Sequence, residues 1–327
     1  MLYTVKDPED IYTEDTTDER LEALRQKKSG PKYVVKTIKA GRWLECLMYP
    51  QWNNPKAVPR GPKKNLSSEQ QRAANEKNTR RNFTRKINEN FLPMVDYWAT
   101  FTCDDDHLVE TEDEGRKIIT RFIARLRYAA KKAGKELKYA YTIEYKAATR
   151  KGGIPILSES GGEMIRPHIH IVMNAIGTQR DIMDCWTAGA IKNVRILQAD
   201  RNGFAGLAAY ITKTPRAGRR RYACSKNLRP PKETTAKHHK MAGMRNVQKI
   251  AVNENIRPEF FEKMYRGKYT FVDCAAKWSG INDGVYFYCR MEQKRPAEGW
   301  PEERREKKSD PNGRPGRKGT GVHKRPA

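Results

Sequence analysis

The chain has 327 residues, with 65 Lys and Arg against 39 Asp and Glu, and a formal charge of +26. That surplus calls for a polyanionic partner, because each Lys or Arg set on a phosphate releases a condensed counterion, and it weighs against an acidic substrate or a simple metabolic enzyme. There is no run of about 18 apolar residues to form a helical membrane span.

The N-terminal run MLYTVKDPED lacks a basic segment followed by an apolar one, so no secretory signal is expected. Cys46, Cys103, Cys185, Cys224, Cys274 and Cys289 form no CxxC pair. Reduced, mostly buried thiols in a cytoplasmic protein are the expectation.

In chain order, residues 1–30 are rich in acids and read as a flexible segment. Residues 31–66 hold the run YVVKTIKAGRWLECLMYP, which alternates and breaks at Ala40-Gly41, predicting a β-hairpin followed by a proline-containing loop. Ser67 and Gln70 fit a capping box that opens a long basic helix. VDYWATFTC (95–103) predicts a strand, and 112–132 an amphipathic helix with Ile118, Phe122, Leu126 and Ala129 at helical spacing. Strands follow at 138–146 and 166–175, joined by a glycine-rich excursion that favours antiparallel pairing. A short helix at 179–186, a strand at 194–197 and a helix at 203–213 come next. Residues 232–290 add a helix at 258–265 and two apolar strands, and 291–327 read as a disordered basic tail.

The most specific signal is His168-Ile-His170. On a strand, residues i and i+2 share a face roughly 6.5–7 Å apart, so two imidazoles converge while Ile169 turns away. Glu144, on the strand expected alongside, is the natural third ligand, and Glu163, in the glycine-rich loop, is the alternative. Two imidazoles and a carboxylate suit Mn²⁺, Mg²⁺, Zn²⁺ or Fe²⁺, and ligand type alone does not choose among them. Taken alone, the pair also reads as two surface histidines.

A second signal is Tyr210 with Lys213, three apart on one helix face. A phenol, with an ordinary pKa near 10, needs a neighbouring cation to attack as phenolate at neutral pH. By itself YxxK is equally a core tyrosine beside a solvated lysine.

Taken together, WATFT (98–102), HIHIV (168–172) and YITK (210–213) resemble the three motifs of the rolling-circle replication initiators of plasmids and small phages, members of the HUH endonuclease superfamily. The tyrosine follows the histidines, as in the initiator branch; conjugative relaxases of that superfamily place it before them. The resemblance spans roughly residues 68–230. It implies an α+β nicking domain over 67–231, with a central antiparallel sheet and flanking helices in a ferredoxin-like or RNA-recognition-like arrangement. It implies that Glu144, His168 and His170 bind Mg²⁺ or Mn²⁺, that Tyr210 attacks a DNA phosphate to leave a 5′-phosphotyrosine and a 3′-OH, and that Lys213 steadies the tyrosine or the developing charge. Position 214 is Thr, so the chain lacks the YxxxY pair of some initiators; Tyr222 could serve a later step or the core.

Arg219, Arg220, Arg221, Lys226 and Arg229 follow the tyrosine closely enough to flank a nicked strand, and Arg80, Arg81, Arg85 and Lys86 could track DNA from the basic helix. Trp98, Tyr141 and Tyr145 could stack bases or fill the core. GRKGTG (316–321) lacks the spacing of a phosphate loop. With no helicase module in view, single-stranded or cruciform DNA and a host helicase and polymerase are the expected partners, and the resemblance implies a bacterial cell or a phage's bacterial host. A related transposase and a non-enzymatic DNA-binding regulator are the rival readings.

Overall fold

The computed structural model describes residues 15–27, 30, 32–50, 69–150, 152–212, 222–279 and 284–294. Two five-stranded antiparallel sheets and seven α-helices fill these segments, in keeping with the expected α+β class of a central antiparallel sheet with flanking helices; the strands expected in the N- and C-terminal additions form the other sheet.

In the first sheet, β1 (Tyr33–Ala40) and β2 (Trp43–Pro50) form the expected hairpin, paired from Tyr33↔Pro50 to Ala40↔Trp43. Gly41 closes it at φ +61°, and a Cβ there would stand 2.1 Å from the Asn88 carbonyl, so only glycine fits. This hairpin does not stand alone. It pairs with β8 (Lys232–Ala236) on one side and β10 (Gly284–Gln293) on the other, with β9 (Tyr269–Ser279) outermost, giving the order β8-β1-β2-β10-β9. The hairpin of residues 33–50 and the strands drawn from 232–293 therefore build one sheet and are not separate additions, and β10 runs on to Gln293, while 51–66 lie outside the described residues.

Helices α1 (Asp18–Gln26), α6 (Met244–Val252) and α7 (Arg257–Met264) share this module's core. The helix α1 corrects the expectation of a flexible segment for residues 18–26; residues 1–14, under the same expectation, lie outside the described residues. Thr17 caps α1, Leu24 is buried beside Val247, and Gln248 donates to the Leu24 and Lys27 carbonyls at its end.

The second sheet takes the order β6-β3-β5-β4-β7, from β3 (Tyr97–Thr102), β4 (Tyr139–Ala147), β5 (Ile165–Met173), β6 (Lys192–Ile196) and β7 (Ala223–Cys224). The β4–β5 pairing is antiparallel, as the glycine-rich connection suggested. Alternation sorts the side chains of β5. Ile169, Ile171 and Met173 face α3 (Glu112–Lys132), where Phe101, Phe122 and Trp186 pack ring to ring and α4 (Gln179–Asp184) adds Ile182. Burying each such side chain contributes about 1.5–3 kcal/mol. A Thr111/Glu114 capping box starts α3 where the acids begin.

His168, His170 and Val172 lie on the opposite face, which α2 (Glu69–Asn90) and α5 (Ala205–Ile211) cover in part. Here Phe83 and Ile87 of α2, Phe204, Ala208 and Ile211, Ala140 and Val172 of the sheet, and Trp43 of β2 share one cluster, so α2 is the strut between the sheets. Among the described residues, no helix is long and apolar enough to cross a membrane.

Candidate metal and tyrosine site

Strand pairing brings the site together. Glu144 is opposite His168 and Thr142 opposite His170 across β4–β5, while Thr102 is opposite His168 and Thr100 opposite His170 across β3–β5. All of these residues point to one face, because they are spaced by two along their strands. One donor atom each from Glu144, His168 and His170 falls within 4.8 Å of the others, and no other group of three or more candidate donors is found among the described residues. His170 Nε2 is 3.7 Å from Glu144 Oε2. Glu163, the alternative ligand, sits exposed in an isolated bridge with Leu157 and does not join the cluster.

Each imidazole is held from behind. Thr100 Oγ1 is 3.0 Å from His170 Nδ1, and Thr102 Oγ1 is 2.5 Å from His168 Nδ1. With Nδ1–H donating to the threonine, each ring presents the Nε2 lone pair to the carboxylate side. Glu144 and His170 are largely buried, at 8% and 1% exposure, so a charge there needs a counter-charge. Two imidazoles with oriented tautomers and one carboxylate at this spacing fit a divalent cation. Lys146, two residues beyond Glu144 and exposed, brings its ammonium 3.8 Å from Glu144 Oε2 at the rim.

Tyr210 stands over the same face. It lies on the last turn of α5, with its ring centroid 5.2 Å from that of His170 and 5.7 Å from that of Trp98, edge-on to both. Trp98 stacks flat on His170. Tyr210 is 43% exposed, so the residue is reachable from solvent. Cys103, next in sequence to Thr102, turns to the α3 side of the sheet, where burial pushes its thiol up to about 12, so it is no alternative nucleophile.

Other expected residues divide by location. Lys213, Arg219, Arg220 and Arg221 lie outside the described residues. Lys226, Arg229 and Arg80 are exposed, with Arg80 3.6 Å from Glu76 and Arg229 3.9 Å from Glu89. Arg85 is a correction. It is 4% exposed and grips Glu45 of β2 through Nε and Nη2, at 2.6–3.1 Å, so it ties α2 to the first sheet and is not available to DNA. Arg81 is laid over the Tyr288 ring, 4.5 Å from its centroid.

Tyr141 and Tyr145 pack against the α3 core, where the Tyr145 hydroxyl donates to the Glu112 carbonyl, so neither is a base platform. Tyr222 packs on Phe83 at 4.1 Å, and burial raises its phenol above the ordinary range. It belongs to the core and not to a second nucleophilic step. Sequence reasoning passed over Thr100, Thr102 and Lys146. The two threonines were part of the quoted WATFT run, and Lys146 was on the same alternating face as Glu144.

Compared with known families, characterised proteins and solved structures, the chain matches none.

Proposed function

We propose that this chain is a metal-dependent tyrosine nickase that cuts and rejoins one DNA strand to initiate rolling-circle replication of a plasmid or phage. The observation that carries the reading is the exposed Tyr210 set against His170 on the face that holds Glu144 and His168. Glu144, His168 and His170 would hold Mg²⁺ or Mn²⁺. A divalent cation at those residues supplies Lewis-acid polarisation of a non-bridging phosphate oxygen.

The remaining chemistry belongs to side chains. Tyr210 Oη attacks the scissile phosphorus as its proton departs. The P–O3′ bond breaks, and the leaving oxygen takes up a proton to become the 3′-OH that primes synthesis. Because the phosphotyrosine keeps the ester linkage, a 3′-OH can displace the tyrosine and reseal the strand without a nucleotide cofactor. Trp98 and His170 set the direction of the Tyr210 ring, and Lys146 at the rim is placed to meet phosphate charge. Strand separation is left to a host helicase or to single-stranded or cruciform DNA.

The test is a denaturing gel of the full chain with single-stranded oligonucleotides tiled across the element that encodes it, in Mn²⁺ and in EDTA. A Mn²⁺-dependent covalent adduct, lost in Tyr210→Phe and in His168→Ala, is the expected result. Tight DNA binding with no adduct on any tile would overturn the reading in favour of a DNA-binding regulator.

A further inference from the structure

A second basic feature lies away from the metal cluster. Between α2, the β2–β10 pair and the loop that leads into α5 is a cavity of about 530 Å³. Its walls carry Lys77, Arg80 and Arg81 from α2, Arg201 from the loop and Arg290 from β10, together with the carboxylates Glu45 and Glu76. Glu45 is held by Arg85, Arg290 by Asp273, and Arg80 lies 3.6 Å from Glu76. The lining as a whole still sets five cations against two carboxylates, a positive surplus in a confined space whose low-dielectric walls concentrate the field. The Arg81 guanidinium lies on the half-buried Tyr288 ring, so a planar π-surface accompanies the charge. Cations interleaved with aromatic faces suit a chain of phosphates with attached bases. The volume is nucleotide-sized, not duplex-sized.

We propose that this inter-sheet groove is a second subsite for single-stranded DNA, which holds a short stretch of the strand that Tyr210 attacks. The inference rests on the nickase reading for its substrate and adds where a further part of that strand is held. The geometry links the two places. Ala205, the first residue of α5, lines the groove, and Tyr210 lies five residues along the same helix. That is about 7.5 Å of helix rise, so one continuous strand reaches both. The groove uses the first sheet as a wall, which gives Tyr288 and Arg290 a role in substrate contact.

The experiment measures binding of the full chain to a fluorescein-labelled single-stranded oligonucleotide, by polarisation over a salt series. Two triple variants are compared. Lys77→Gln/Arg80→Gln/Arg201→Gln strips the groove, and Arg121→Gln/Lys131→Gln/Lys132→Gln removes equal charge from exposed positions on α3. The groove variant should lose about tenfold in affinity or more, with a salt slope shallower by about 2, while the α3 variant stays near wild type. Equal losses in both variants, or a loss in neither, would overturn the proposal.

Photocrosslinking of a 5-iododeoxyuridine oligonucleotide to the wild-type chain gives an independent readout, with an adduct expected at Tyr288. Crosslinks confined to the Tyr210 face would also overturn it. Covalent attachment to Tyr210, scored separately on a denaturing gel, reports on the nickase alone, so either reading can fail while the other stands.

Discussion

The imidazole of His170 lies flat against the indole of Trp98, with centroids 5.5 Å apart and planes inclined by 11°, and Tyr210 meets both rings edge-on. Trp98 thus gives Tyr210 and His170 a common wall, and in the proposed nickase it is a positioning residue. Trp98→Ala should slow single-turnover adduct formation by about a hundredfold, the scale of a misplaced reacting group. Mn²⁺ affinity should hardly move, and Trp98→Phe should restore part of the rate. A parallel loss of Mn²⁺ binding would show that the indole serves the ligand and not the tyrosine.

Thr100 and Thr102 stand behind the two histidines that would hold the cation. Replacing either by Val keeps the shape and removes the oxygen that holds Nδ1. Mn²⁺ affinity, read by isothermal titration, should weaken by about 10–100-fold, with little change in the melting temperature. Unchanged affinity would mean that packing alone orients the imidazoles.

Arg85 and Glu45 are both largely shielded, with side chains 5% and 13% exposed. Removing one partner leaves the other charge stranded, so Arg85→Met should cost about 3–5 kcal/mol in a urea titration. Arg85→Met/Glu45→Leu should recover most of that loss. If the single change costs under about 1 kcal/mol, water reaches the pair and α2 is held by its apolar residues alone.

Asp96 carries a pH dependence. Its carboxylate accepts from the Leu92 and Ala175 N–H groups, yet burial outweighs both and raises its pKa above the ordinary carboxylate range. A raised folded-state value means that folding favours the protonated acid. Its contribution is therefore full below the ordinary value and declines as pH climbs through the raised one. The stability of wild type minus that of Asp96→Asn should shrink as pH rises above about 4, in urea titrations at stepped pH. A flat difference would show that the two N–H donors balance the burial.

Local pattern carried much of this far. The helix over 112–132 was legible to its end residues, because a polar cap and a strong apolar stripe act within single turns. The metal cluster was legible because period-two alternation alone puts His168 and His170 on one face, and a glycine-rich connection makes Glu144 a neighbour. The union of the β1–β2 hairpin with β8, β9 and β10 was not, since its partners lie far apart in sequence and no local period records which distant edge a strand will choose. Arg85 was misread for a related reason. In a helix of mean basic character, charge shows only that some face meets water, and it takes Glu45, forty residues earlier, to draw one arginine inward. The helix α1 escaped notice because a single residue, Leu24, is its buried anchor.

The split origin of the first sheet also orders events during synthesis. The strands of the second sheet lie within 97–224, so that sheet can close while the C-terminal strands are still untranslated. The first sheet cannot. Its β2 strand ends at residue 50 and waits for β10, which begins at residue 284, a delay of about 12–47 s at ribosomal speeds of roughly 5–20 residues per second. Throughout that delay β2 presents an uncapped row of amides beside buried-type side chains such as Leu44, Leu47 and Met48, a template for pairing with other nascent chains. A product cut short before residue 284 keeps that edge for good, so premature termination yields a chain that carries every residue of the metal cluster and is prone to aggregate.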